Sequence, residues 1–118
     1  MANEEELQKA VEAEMIRQQL LEIENQLNVL ETKKYELQLI KESIDEVKGK
    51  KGNEILVPIG AGVLLRAEIK DDEKVLVNVG SNVVVERNLE ETKKIIDNQI
   101  SEVEKAEQIL QEELKKYV

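Results

Sequence analysis

The chain has 118 residues, which is room for one domain, and its formal net charge is −9 at pH 7. Apolar residues make up 41% and charged residues 36%, but only two residues are aromatic, and Phe, Trp, Cys and His are absent. This composition argues against a compact core built on aromatic rings, and the acidity argues against a nucleic-acid partner or an anionic membrane surface.

The beginning of the chain, Met1–Glu6, is acidic and lacks the apolar segment of a signal peptide. No apolar run in the sequence approaches the roughly 20 residues that a membrane-spanning helix needs. We therefore expect no membrane association and a cytoplasmic location.

The first segment, residues 3–48, is predicted to be one long helix because it contains no Gly or Pro. Its apolar residues recur at alternating steps of three and four, the heptad spacing of a helix that pairs with another helix. We call this line of residues the seam. Its members are Ala13, Ile16, Leu20, Ile23, Leu27, Leu30, Lys34, Leu37, Lys41 and Ile44, while Ile40 and Val47 lie one residue before the strict register. We interpret Lys34 in the seam as a polar residue that fixes the axial alignment of the two helices, or as a side chain that extends its ammonium to solvent.

The middle segment, residues 49–88, changes to the period of two that is typical of strands. Four runs rich in β-branched residues are separated by turn residues, which predicts two hairpins. The predicted strands are Glu54–Ile59, Val63–Lys70, Lys74–Val79 and Val83–Arg87. Four short strands cannot bury their own apolar face, so we expect them to join strands of other chains. The residues expected to form this assembly core are Val57, Ile59, Val63, Leu65, Val75, Val77, Val79 and Val85.

The third segment, residues 89–118, is predicted to be a second helix with a cleaner heptad. Leu89, Ile96, Val103, Leu110 and Tyr117 lie seven residues apart, and the second seam position carries Thr92, Gln99 or Ile100, Ala106 and Leu114. Asn88 with Glu91 three residues later predicts a variant of the capping box at its start. The sequence thus predicts a single α+β domain, residues 1–118, in which a long antiparallel helical hairpin carries two β-hairpins at its bend.

Pairing the helices from the bend outward leaves the beginning of the first helix without a partner. If Lys48 faces about Asn88, paired residue numbers sum to roughly 136, Val118 faces Gln18, and residues 1–17 extend beyond the second helix. We interpret the apolar side chains there as a binding surface, with a frayed terminus as the alternative. The candidate residues are Leu7, Ala10, Val11, Met15 and Ile16.

Enzyme chemistry finds little support in the sequence. There is no His for proton transfer and no Cys nucleophile, so no catalytic residue is predicted. His and Cys ligands and an EF-hand loop are missing, and Gly60-Ala61-Gly62 opens into a strand and not into a helix. We therefore expect a protein that is not an enzyme and that has no metal or cofactor.

The middle segment resembles a known family. Residues 55–62, Ile-Leu-Val-Pro-Ile-Gly-Ala-Gly, are similar to a hairpin of archaeal prefoldin alpha subunits, and residues 77–87 are similar to that family's second hairpin. The similarity is close over about residues 53–89, whereas the flanking helices match in pattern only. Two hairpins indicate the alpha class, since the beta class has one, and the related filament-forming gamma subunit is the alternative within the family.

The resemblance implies a function. Two alpha-class and four beta-class subunits would form a hexamer whose hairpins close an intersubunit β-barrel. The ends of its coiled coils would hold unfolded polypeptides without ATP and pass them to a group II chaperonin. Family members usually carry a longer C-terminal helix than the one that stops here at Val118. A structural coiled-coil spacer or filament protein remains a rival interpretation, with a small enzyme of unknown type as a distant third.

Overall fold

The computed structural model describes residues 3–117. It contains two long α-helices, α1 (Glu4–Val47) and α2 (Leu89–Lys115), and four strands between them. The strands are β1 (Glu54–Gly60), β2 (Val63–Glu68), β3 (Lys74–Gly80) and β4 (Val83–Asn88). The predicted fold class of two helices and two hairpins is confirmed. By its contacts the chain divides into two units, one formed by the chain up to Glu36 together with the chain from Ile100 onward, and the other by Leu37–Gln99.

Both helices begin at an asparagine whose side chain satisfies a backbone N–H of the first turn. Asn3 Oδ1 accepts from the Glu6 N–H at 2.8 Å, and Asn88 Oδ1 accepts from the Glu91 N–H at 2.7 Å. Only half of the predicted capping box forms at Asn88, since among residues 3–117 the Glu91 carboxylate accepts no hydrogen bond from the Asn88 N–H. The Thr92 hydroxyl donates to the Asn88 carbonyl at 2.8 Å. These caps compensate N–H groups that a helix leaves unpaired at its start.

In the unit Leu37–Gln99, the seams of the two helices face each other. Leu37 and Ile44 of α1 and Leu89, Thr92 and Ile96 of α2 are all buried. Two ion pairs flank them, Lys41 with Asp97 at 2.7 Å and Lys93 with Asp45 at 2.6 Å. The strict heptad register holds at Lys41, which is half-buried while Ile40 is exposed. At the end of α1 it does not, since Val47 is half-buried and Lys48 is exposed.

In the other unit, the same antiparallel pairing continues around Ile23 and Val103, which are both buried. Ile100 is half-buried whereas Gln99 is exposed, which decides the position that the sequence left open. The Tyr117 hydroxyl bonds Gln19 Oε1 at 2.7 Å, so these two residue numbers sum to 136 as the pairing arithmetic predicts. Val118 lies outside the described residues.

Each hairpin is a separate two-stranded antiparallel sheet, β1 with β2 and β3 with β4. The strand predicted to run to Lys70 ends earlier, at Glu68. Ile69 still exchanges backbone hydrogen bonds with Asn53 and Gly52, at 3.0 and 2.8 Å. The ladder stops there because Gly52 adopts a φ of +88°, which is outside the range of an extended strand.

Candidate functional surfaces

The two hairpins repeat each other at a spacing of 20 residues. Both contain a register shift, between Pro58 and Gly60 in the first and between Asn78 and Gly80 in the second. Both turn through residues with positive φ, Ala61 and Gly62 (51° and 77°) in the first and Ser81 and Asn82 (51° and 62°) in the second. Positive φ at both central residues is the mark of the tight turn that matches the twist of paired strands.

The residues predicted to form an assembly core share one face of each hairpin. Val57 pairs with Leu65 and Val77 pairs with Val85, so each pair points to the same side of its sheet. None of the eight predicted residues is buried. Five are exposed and three are half-buried; the half-buried ones are Val75, Val77 and Val85.

The opposite faces of the hairpins are apolar as well, which sequence reasoning missed. Leu56 and Leu64 of the first hairpin and Leu76 and Val84 of the second are all more than half exposed. The hairpins therefore present apolar side chains on both sides.

The beginning of α1 is the second candidate surface. Every described residue from Asn3 to Gln19 is exposed, and α2 ends beside Gln19. Leu7, Val11 and Met15 are 57%, 58% and 58% exposed and lie four residues apart, which places them on one face of the helix. Of the two other predicted residues, Ile16 follows the line of the seam and Ala10 lies toward another side; both are exposed.

A charged pair inside the seam went undetected in the sequence. Glu107 is buried beside the seam, and its Oε1 lies 3.2 Å from Lys34 Nζ. This oxygen has no hydrogen-bond partner of good geometry within residues 3–117. The cost of removing it from water is therefore offset only by its attraction to the Lys34 ammonium. The Glu107 carboxylate raises the pKa of Lys34, and the nearby Glu31, 3.5 Å away, acts in the same direction. Lys34 therefore has a charged partner at the seam, and its side chain is only 23% exposed.

A shallow groove of about 450 Å³ lies on the side of the helix pair formed by the chain up to Glu36 and from Ile100 onward. Its apolar lining comes from Val29 and Leu30 on one helix and Ala106, Ile109 and Leu110 on the other. Val29 and Ile109 are 67% and 60% exposed, although both are aliphatic. Neither residue belongs to the seam, so the heptad pattern gave no reason to select it.

Features expected of other protein classes do not occur in the described part of the chain. Among residues 3–117, no three His, Cys, Asp or Glu side chains are grouped as a metal site would require. Neither described helix combines the length and apolar character needed to cross a bilayer.

Comparisons with known proteins agree with this architecture. The chain is 37% identical over 73 residues to prefoldin subunit alpha of Methanococcus aeolicus, a stretch that covers 61% of this chain and 49% of that protein. The match therefore spans about half the length of this relative.

The fold also matches the cryo-EM structure of filamentous PFD from Methanocaldococcus jannaschii, with a TM-score of 0.80 and 22% identity. The match covers 93% of this chain and 90% of that one. The family profile for prefoldin subunits matches residues 16–118, which include both hairpins and both paired helices. By its sequence and its fold, the chain belongs to the prefoldin family.

Proposed function

We propose that this chain is an alpha-class prefoldin subunit that holds unfolded polypeptides in the cytoplasm without ATP. The observation that carries this proposal is the unpartnered beginning of α1, where Leu7, Val11 and Met15 expose most of their side chains on one face. Apolar residues on a helix that no other part of the chain covers are typical of a surface that contacts another molecule.

Assembly is the second part of the proposal. The hairpins of two such chains join those of four beta-class subunits in a β-barrel, in which each hairpin buries a face that it cannot bury alone. The identity to an archaeal prefoldin alpha subunit supports the alpha class, and the exposed Val57, Ile59, Val63 and Leu65 support an interface at the first hairpin.

Holding without ATP follows from the kind of contact that the helix offers. Unfolded chains expose scattered apolar groups, and several shallow contacts on separate helix ends bind one chain loosely through multivalency. Met15 adapts its flexible side chain to different partners. Because each contact is weak, the client dissociates without an energy source and passes to a group II chaperonin.

The test is the removal of residues 1–17 from the full chain. The assembly should keep its number of subunits and its thermal stability, because every described residue in this stretch is exposed. It should lose most of its ability to suppress aggregation of a denatured client. The matched control replaces Glu5 and Glu12 by Gln, at exposed positions of the same stretch that lie off the face of Leu7, Val11 and Met15, and should leave suppression unchanged. Full suppression after the deletion would contradict the proposed site.

A size measurement distinguishes the alpha class from the gamma class. The chain mixed with a beta-class subunit should form a particle of defined mass with two copies of this chain. Continued growth of the chain alone into filaments, with no uptake of beta-class subunits, would favour the gamma class instead.

A further inference from the structure

The outer face of α1, opposite the seam, differs sharply from that of α2. On α1 this outer face is made of three positions of each heptad, starting at residues 4, 7 and 8 and repeating every seven residues. On α2 the three positions start at residues 90, 91 and 94 and repeat in the same way. The outer face of α2 is polar at every one of these positions from Glu90 to Lys115. Between Glu4 and Glu36, the outer face of α1 instead carries six large apolar residues, Leu7, Val11, Met15, Leu21, Val29 and Tyr35.

The apolar residues on the outer face of α1 are uncovered along the paired part of the helix as well as at its beginning. Leu21 is 48% exposed, Val29 is 67% exposed and Tyr35 is 61% exposed; of these, Val29 also borders the groove that α1 shares with Ile109 of α2. A helix that pairs on one face normally carries polar residues on the other, as α2 does. The seam therefore does not account for these three side chains.

The charges on this face are all of one sign. Its ionisable residues are Glu4, Glu14, Glu22 and Glu36, and no Lys or Arg occupies an outer-face position of α1 between Glu4 and Glu36. Glu14 is neutralised by Arg17, whose guanidinium lies 2.7 Å from its carboxylate and lowers the pKa of Glu14. Within residues 3–117, no ion pair involves Glu22 or Glu36.

The charge of this face and the spacing of its apolar residues indicate which kind of molecule it binds. A second copy of α1 would place carboxylates against carboxylates, which is unfavourable, whereas a basic segment would meet opposite charge. Beyond Met15 the spacing also disfavours a helical partner, because Met15, Leu21, Val29 and Tyr35 are six to eight residues apart and form islands; only Leu7, Val11 and Met15 make a short ridge. Separate islands suit an extended chain whose apolar side chains are interrupted by charged ones.

We propose that the outer face of α1, from Leu7 to Tyr35, is a docking surface for unfolded segments that combine apolar with basic side chains. This inference rests on the proposed holding function and adds to it a preferred class of client and a site beyond the helix end. The face is about 42 Å long, which an extended segment of about 13 residues spans.

The test measures binding of two labelled peptides of about 14 residues to the full chain by fluorescence anisotropy. In one peptide leucines alternate with lysines and glycines, and in its twin glutamates replace the lysines. The lysine peptide should bind at least about tenfold more tightly, and raising the salt from about 0.1 M to about 0.5 M should reduce the difference because exposed charges are screened. Equal binding of the two peptides, or no binding of either, would overturn the inference.

Two sets of variants locate the binding. Replacing Leu21, Val29 and Tyr35 by Gln should lower the affinity for the lysine peptide by about tenfold. Three apolar contacts with the peptide are lost, at exposed positions that the fold does not need. Replacing Glu22 and Glu36 by Gln should lower the affinity for the lysine peptide by about threefold, as expected for two exposed charges. The affinity for the glutamate peptide should not fall. The matched control replaces Glu104 and Glu112 on the polar face of α2 by Gln, the same change in net charge, and should have no effect.

Further outcomes separate this inference from the proposed function. The wild-type chain could suppress aggregation of a denatured client while the α1 variants bind both peptides with wild-type affinity. In that case the holding function stands and the outer face is not a docking surface. If the triple Gln variant loses assembled mass, the face is an interface between subunits and the inference is wrong. Peptide binding on this face by a chain that fails to suppress aggregation would overturn the proposed function alone.

Discussion

The paired helices and the β-hairpins contain the same kinds of aliphatic residue but differ in what covers them. Among residues 3–117, the buried apolar side chains all belong to the helices: Ile23, Leu37, Ile44, Leu89, Ile96 and Val103. In the four strands no residue is buried. The helices thus bury their apolar seams within one chain, whereas the hairpins leave both faces accessible.

The difference follows from geometry rather than from composition. A heptad collects apolar residues along one line, and one facing helix is enough to cover that line. Alternation in a strand sends side chains to two faces, and a two-stranded sheet needs a further layer on at least one of them. Residues 3–117 supply the second helix but not that layer, which is why we propose that another molecule covers the hairpins.

The largest effect that we predict is the loss of assembly when the apolar face of a hairpin receives a charge. Val77→Asp places a carboxylate on the predicted assembly face, where burial of an unpaired charge is costly, and should dissociate the assembly while circular dichroism shows that the helices remain. The control is Leu76→Asp on the opposite face of the same strand, at a side chain that is 72% exposed, and it should leave the mass unchanged. An assembly that keeps its mass with Asp at residue 77 would show that this face is not in the interface.

The second prediction tests the helix side with two isoleucines of α2. Ile96 is 6% exposed, so Ile96→Ala should lower the free energy of unfolding by about 2–5 kcal/mol. Ile109 is 60% exposed, and Ile109→Ala should change that energy by no more than about 0.5 kcal/mol. Urea denaturation of both variants measures the difference, and similar losses at the two sites would mean that Ile96 is not covered by α1.

The third prediction concerns the charged pair within the seam. Lys34→Met leaves the buried Glu107 carboxylate without its cation, so this variant should unfold at a lower urea concentration than the wild type. The double variant Lys34→Met with Glu107→Met should recover the loss or exceed the wild type, since two methionines fill the seam without a buried charge. The control is Lys33→Met, at an exposed neighbouring position. If the effects of Lys34→Met and Glu107→Met, each measured alone, simply add in the double variant, the two side chains do not interact.

The smallest effect is a dependence on pH at the exposed pair of Asp45 and Lys93. The hydrogen bond from Lys93 lowers the pKa of Asp45 below its ordinary value of 3.8. A carboxyl group with a lowered pKa stabilises the fold above its ordinary pKa, and this contribution is lost as the pH falls through the folded value. Asp45→Asn should therefore be slightly less stable than the wild type at neutral pH, and the two should converge in acid. The variant Glu46→Gln serves as the control, and a gap that stays constant with pH would contradict this assignment.

Much of the fold could be predicted because its signals are local. The heptad from Leu20 to Ile44 and the turn residues at Gly60–Gly62 each act through their own segment, so one sequence was enough to identify helices and hairpins. The end of β2 was placed two residues too late, because Ile69 and Lys70 continue the alternation and only the positive φ of Gly52 across the ladder stops it.

The candidate surfaces were harder to predict because they depend on what faces each residue. Lys34 was predicted to lie in the seam, but its partner Glu107 lies five residues beyond Glu102, the residue that a sum of 136 places opposite Lys34. The exact axial alignment of the two helices was needed to find this pair. Leu21 and Val29 were passed over because a seam search ignores the opposite side of the helix. A count of apolar residues on the outer face of each helix would have found them.

The central claim is that another chain covers the hairpins, and hydrogen–deuterium exchange on the assembled protein tests it directly. The account predicts that amides at the free edges of β1–β4 exchange as slowly as those of the paired helices, and that Val77→Asp makes them exchange rapidly while the helices stay protected. Rapid exchange at these edges in the wild-type assembly would contradict the claim, because strands that a partner has covered cannot leave their edge amides open to solvent.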